Sequence, residues 1–158
     1  RIYTLNTLIN TAKFVENNKI TLAMYQLNFR ENKMLMYISA ISFPDDILNA
    51  HQELHTMVTE KKGRDYFGIS FSDSSGKIQY KAAVTQNYDG EAAALGLKTY
   101  LLKKGIYNYI TVPNYKDDIV AIEKAFKILL LNPKIDPNGA CVEWYFNDND
   151  VKCMVRNQ

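Results

Sequence analysis

The chain has 158 residues, 47% hydrophobic and 23% charged, which favours one globular domain whose core needs neither metals nor disulfide staples. Nineteen basic and 17 acidic residues leave a formal charge of +2, too small a surplus to point to nucleic acid. Cys141 and Cys153 are too few for a disulfide scaffold, and no apolar run approaches the ~18 residues that cross a bilayer, so a cytoplasmic protein without membrane contact is expected.

Residues 4–16 carry Leu5, Leu8, Ile9 and Ala12 at helical spacing. Ile20 to Leu27 alternates as a strand, residues 29–33 read as a turn, and Met34 to Ile41 is a second strand. Ser42, Pro44, Asp45 and Asp46 mark a helix start. The stripe Ile47, His51, Leu54, Val58 follows, and Gly63 closes the helix. Tyr66 to Phe71 and Ile78 to Val84 form a hairpin across a Ser-Gly turn. Residues 85–94 connect it to strands at Leu95 to Leu102 and Ile106 to Val112. A helix is expected over Tyr115 to Leu131, with Ile119, Ile122, Phe126, Leu129 and Leu130 on one stripe. Asn132 and Pro133 stop it. Ala140 to Phe146 and Val151 to Val155 end the chain as a hairpin.

The order strand, strand, helix, strand, strand thus occurs twice. The pseudo-repeats span about 20–84 and 95–155 within a domain of residues 18–158, and residues 1–17 stand apart as an N-terminal extension or linker helix. One helix covers one face of a sheet, so the two halves are expected to join. The result is an α+β fold: tandem β-α-β-β units, a mostly antiparallel curved sheet, two long helices on one face and a central cleft.

Glu143 stands out because it sits in a strand of apolar and aromatic neighbours. Alternation puts Cys141, Glu143 and Tyr145 on one face and Val142, Trp144 and Phe146 on the other. Burying an unpaired carboxylate costs several kcal/mol. Either Glu143 faces solvent on an edge strand, or a partner compensates it. Tyr37, Tyr80, Tyr107 and Tyr109 fall on neighbouring strands, where they either build an aromatic box for a ligand or pack across strands. His51 and His55 share a helix face, but the HExxH pattern and a third ligand are absent, so no metal and no cofactor are expected. No phosphate loop, nucleophile elbow or carboxylate pair supports catalysis.

The stretches Tyr66-Phe67-Gly68-Ile69, Gly105-Ile106-Tyr107 and Gly139-Ala140-Cys141-Val142-Glu143-Trp144-Tyr145 resemble those of the GyrI-like small-molecule-binding domains, the effector-binding domains of AraC-type and MerR-type bacterial regulators. The element order agrees over roughly residues 20–155. The resemblance implies a cleft whose glutamate, here Glu143, meets cationic or polar effectors. It places Trp144, Tyr145, Tyr107 and Tyr37 among the cleft aromatics. It implies a small organic ligand as partner. A DNA-binding module would lie elsewhere in the same chain or in another, with no direct nucleic-acid contact from this domain. Some relatives resemble hydrolases of small electrophilic compounds, which keeps an enzyme open beside a binding module and a protein-interaction domain.

Overall fold

A computed structural model describes residues 23–158. The reading of residues 1–17, and of the strand's start at Ile20, lies outside them. The described chain runs β1 (Tyr25–Phe29), β2 (Lys33–Ser39), α1 (Ile47–Met57), β3 (Tyr66–Ser72), β4 (Ile78–Thr85), α2 (Glu91–Ala94), β5 (Lys98–Leu102), β6 (Gly105–Val112), α3 (Ile119–Leu129), β7 (Cys141–Tyr145) and β8 (Val151–Arg156). All eight strands join one sheet in the order β1-β6-β8-β7-β3-β4-β2-β5. Every ladder is antiparallel. The α+β fold expected from the duplicated pattern is therefore present: a curved sheet with helices on one face.

The halves exchange their first strands. β1 leaves its own half to pair with β6, and β5 crosses to pair with β2. Two long ribbons result, one through β1 and β2, the other through β5 and β6. They run side by side from the Tyr25–Tyr109 pair to the Tyr37–Lys98 pair. The Asn32 side chain joins their turns by accepting a hydrogen bond from the Lys104 amide at 2.8 Å.

Alternation sorts the side chains into separate cores. On the helix side, Met36, Tyr80, Ala82 and Val84 pack with Ala50 and Leu54 of α1. Ile110, Val112, Val151, Cys153 and Val155 pack with Ile122, Ala125, Phe126 and Leu129 of α3. On the other side, Leu35, Phe67, Ile69, Leu102, Tyr107, Val142 and Met154 are buried, and among the described residues no helix packs there. Curvature of the sheet contributes. Phe29 and Trp144 lie three strands apart in the sheet order, yet their ring centres are 5.9 Å apart, so the face opposite α1 and α3 is concave. A flat sheet would hold them near 14 Å apart at ~4.8 Å per strand.

The register makes the duplication visible. In the first half Lys81 lies between Ile69 and Ser39; in the second Lys152 lies between Trp144 and Thr111. Ile69 and Trp144 therefore hold matching places, and so do their preceding neighbours Gly68 and Glu143. Those two residues are paired with each other where β3 meets β7, at the middle of the sheet.

Several boundaries differ from the sequence reading, each for a local reason. The Asp118 side chain accepts a hydrogen bond from the Ala121 amide and caps α3, so the helix opens at Ile119 and not at Tyr115. Ile119 itself, read as core, is 59% exposed. α1 stops at Met57 because Val58 adopts an extended ψ and turns inward to complete burial. β1 continues through Phe29, which was read as turn, because its ring packs on Tyr107 and Trp144. Leu95 to Leu97 are not strand. The short helix α2, entered through Gly90 at φ 87°, lies instead within the 85–94 connection.

Candidate functional site

Glu143 faces the helices and is 1% exposed. Its Oε2 accepts a hydrogen bond from the Tyr80 hydroxyl at 3.1 Å and a shorter one from the Tyr145 hydroxyl. The His51 Nε2 stands 2.8 Å from the Tyr80 oxygen. Tyr80 has one proton and gives it to Glu143, so this contact assigns the donor role to His51 Nε2. Four elements thus converge: α1 supplies His51, β4 supplies Tyr80, and β7 supplies Glu143 and Tyr145, while β3 leaves room for them.

That room comes from Gly68. A β-carbon built there would lie 2.7 Å from Glu143 Oε2 and 2.8 Å from Tyr80 Cζ, and closer still to the Tyr80 hydroxyl. The Tyr80 ring occupies the volume that a side chain at position 68 would fill. Rings close the rest of the cluster. His51 meets Tyr145 edge-on at 5.4 Å, Tyr115 lies 5.2 Å from Tyr145, and Phe43 lies 6.2 Å from Tyr80.

Two residues along β7 on the same face, Cys141 pairs with Ser70 and opens onto a cavity of about 570 Å³. Its walls come from Ile78, Leu130, Ile135, Val155 and the 136–140 segment. The volume lies within the ~300–1,000 Å³ typical of small-molecule sites. Glu143 does not line it. Cys141, about 7 Å along the strand at ~3.4 Å per residue, connects the two regions.

Burial acts on three weak acids near this carboxylate. It holds the Tyr145 hydroxyl well above its ordinary value, and the adjacent Glu143 charge adds to the effect. The same two causes, burial first, raise Tyr115 and push the Cys141 thiol up to about 12 from 9.0. An acid whose folded pKa is raised contributes stability that is complete below its unfolded pKa and lost as pH climbs toward the folded one. The melting temperature is therefore expected to hold steady up to roughly pH 9 and then fall as the unfolded chain ionises first. Cys141→Ala should make the fall above roughly pH 9 shallower. Thermal melts across alkaline buffers check this; an unchanged slope in the variant would remove Cys141 from the account.

The structure brings three of the seven sequence-read candidates together: Glu143, Tyr145 and Tyr80. The other four lie on the concave face, opposite α1 and α3. Tyr107 is buried there and donates to the Lys103 carbonyl at 2.7 Å. Trp144 contacts Phe29, Phe67 and Phe146. Tyr37 lies under Lys81, and Tyr109 lies beside Lys152. His51, read from spacing as the edge of an apolar stripe, joins the carboxylate cluster instead. His55 stacks on Tyr66 at 4.5 Å, so the two histidines serve different contacts. Gly68 appeared in the sequence only within a family-like stretch. A glycine inside a strand is nevertheless the ordinary mark of close approach, and it carries that meaning here. Among the described residues no group of three His, Cys, Asp or Glu could hold a metal, and no helix is long and apolar enough to cross a membrane.

A duplicated strand-strand-helix-strand-strand frame is a fold shared with solved proteins. The chain matches no family model and no curated protein. Among solved structures it is similar to an integron cassette protein from the mobile metagenome of Vibrio cholerae, at 10% identity and a TM-score of 0.62 over 85% of this chain and 95% of that one. It is similar to SAV2435, solved bound to tetraphenylphosphonium, at 13% identity and a TM-score of 0.64 over 85% and 94%. A hydrolase from Listeria innocua aligns at 8% identity and a TM-score of 0.55 over 92% and 97%. These likenesses concern the fold, which is consistent with that of the GyrI-like domains the sequence resembles.

Proposed function

We propose that this domain binds small organic molecules, with hydrophobic or aromatic cations as its preferred class, at the Glu143 cluster. The observation that carries the reading is a carboxylate 1% exposed, held by two phenol hydroxyls on one oxygen and ringed by aromatic side chains. A carboxylate among aromatic rings favours a ligand of opposite charge and apolar body. A lipophilic cation has both and loses little hydration on entry, and ring faces attract it further. SAV2435, which has the same fold, binds such a cation, tetraphenylphosphonium. In this reading Glu143 recognises its ligand and performs no turnover. Sensing in bacterial transcription regulation would require a DNA-binding module in this chain or another.

Tetraphenylphosphonium is expected to raise the melting temperature saturably. Glu143→Gln keeps the shape and removes the charge. A charge-assisted contact is worth about 1.5–3 kcal/mol, so affinity should fall roughly 10- to 100-fold. Calorimetric titration of both proteins decides it. Equal affinity for wild type and variant, or no binding to the wild type, sinks the reading.

A further inference from the structure

The strands divide their charges by face. In the described sheet the basic residues are Lys33, Lys81, Lys98, Lys152 and Arg156, and the single acidic one is Glu143. Glu143 points to the helices. The five cations share the concave face with Leu35, Ala83, Leu102 and Met154, from which each is separated by an even number of residues. Arg156 is paired with Asp136 at 3.0 Å. Among the described residues, no carboxylate forms an ion pair with the four lysines.

Two of those lysines sit on aromatic platforms that the duplication has repeated. Lys81 Nζ lies 4.3 Å from the Tyr37 ring centre and 5.0 Å from that of Phe71. Lys152 Nζ lies 5.2 Å from Tyr109 and 4.4 Å from Phe146, with Trp144 at 4.8 Å. Tyr37 and Phe71 stand two residues beyond the strand partners of Lys81, and Tyr109 and Phe146 stand two beyond those of Lys152. The rings are only partly buried. The Trp144 indole N–H has no acceptor among the described residues.

We propose that this concave face is a docking surface for single-stranded nucleic acid. Lysines without an ion pair among the described residues supply the phosphate contacts, and partly exposed rings at fixed positions supply stacking platforms for bases, the combination by which sequence-tolerant single-strand binders work. As bases take the ring faces, the ammonium groups resting there swing to the phosphates. An acidic polypeptide would use the lysines and leave the rings capped, so the rings favour nucleic acid as the occupant. The near-neutral total charge hides this arrangement because the acidic residues lie in turns and helices and at Glu143. The site is separate from the Glu143 cluster, on the opposite side of the sheet.

The test is fluorescence anisotropy of a short fluorescein-labelled oligothymidylate with the full chain at low salt, alongside Trp144 emission. Saturable binding with quenching of Trp144 is expected. Lys81→Gln with Lys152→Gln should weaken binding at least about tenfold and flatten the log–log salt slope by roughly 0.7 per lysine removed. Lys62→Gln with Lys124→Gln makes the same charge change elsewhere and should leave binding within about twofold. Lys81→Arg with Lys152→Arg, which keeps charge and ring contact, guards against loss of folding and should retain binding. Absence of binding by the wild type overturns the proposal. So does equal weakening by the control pair, or binding of labelled polyglutamate as tightly as the oligonucleotide.

Discussion

Glu91→Ala is expected to destabilise the domain by about 3–5 kcal/mol, among the largest effects any single substitution here should have. The Glu91 and Arg64 side chains are only 5% and 3% exposed. Arg64 gives Nη1 to Glu91 Oε2 at 3.1 Å and to the Thr85 carbonyl at 2.8 Å, and its Nη2 makes a short ion pair with Oε1. Glu91 also accepts from the Asn87 amide at 2.7 Å. Removing the carboxylate leaves a guanidinium and an amide buried without their acceptor. The penalty is that of an uncompensated charge, not merely of a lost contact. Chemical denaturation should show the loss, and the melting temperature should drop by roughly 10 °C. Arg64→Met with Glu91→Leu removes both charges and should recover most of the stability; a double variant as unstable as Glu91→Ala contradicts the argument. Hydrogen bonding from Arg64 also holds the Glu91 carboxyl below its ordinary 4.5. The stability from this pair is therefore complete above that value and lost as pH falls through the lower folded one.

Gly68→Ala should cost about 1–3 kcal/mol and dismantle the carboxylate cluster with it. The added methyl would enter the space of the Tyr80 hydroxyl and stand 2.7 Å from Glu143 Oε2. Tyr80 cannot easily yield. It is 2% exposed, with Phe43 and His51 beside its ring. If Tyr80 turns away, Glu143 loses a donor while it stays buried. Gly76→Ala is the useful contrast, because position 76 has a strained φ of 81° but open space around it. Only Gly68→Ala should lose both stability and tetraphenylphosphonium binding, as read by melts and titration. A Gly68→Ala protein with full affinity would show that the close packing at this strand pair is not needed by the site.

The elements were legible in the sequence wherever periodicity is local. The alternation through Leu35, Met36 and Tyr37 sorted residues to the faces they occupy, and Glu143 and Trp144 were correctly set on opposite faces of β7. Strand exchange was not legible. Nothing in Tyr25–Phe29 says that its partner is β6, because pairing across such a separation is decided by the assembled core. α2 escaped for a related reason: four residues carry no periodicity, and their helix leans on Arg64, far back in the chain. Within the site, a glutamate among aromatics was a local anomaly and could be noticed. Tyr80, a pocket candidate by its strand, and His51, the edge of a helical stripe, meet Glu143 only through folding, and Tyr37, Tyr107 and Tyr109 share composition with the cluster without sharing its location.

The Gly68–Glu143 pair has a consequence for occupancy. In an evenly mirrored molecule, whatever stands at the meeting of β3 and β7 would face its own image, and two carboxylates there would repel each other across one rung of the ladder. Glycine on one side and glutamate on the other breaks the mirror at that single point. A frame with two equivalent sides thereby acquires one negative charge at its centre, so the ligand proposed above would meet one orientation where a faithful duplicate would have offered two.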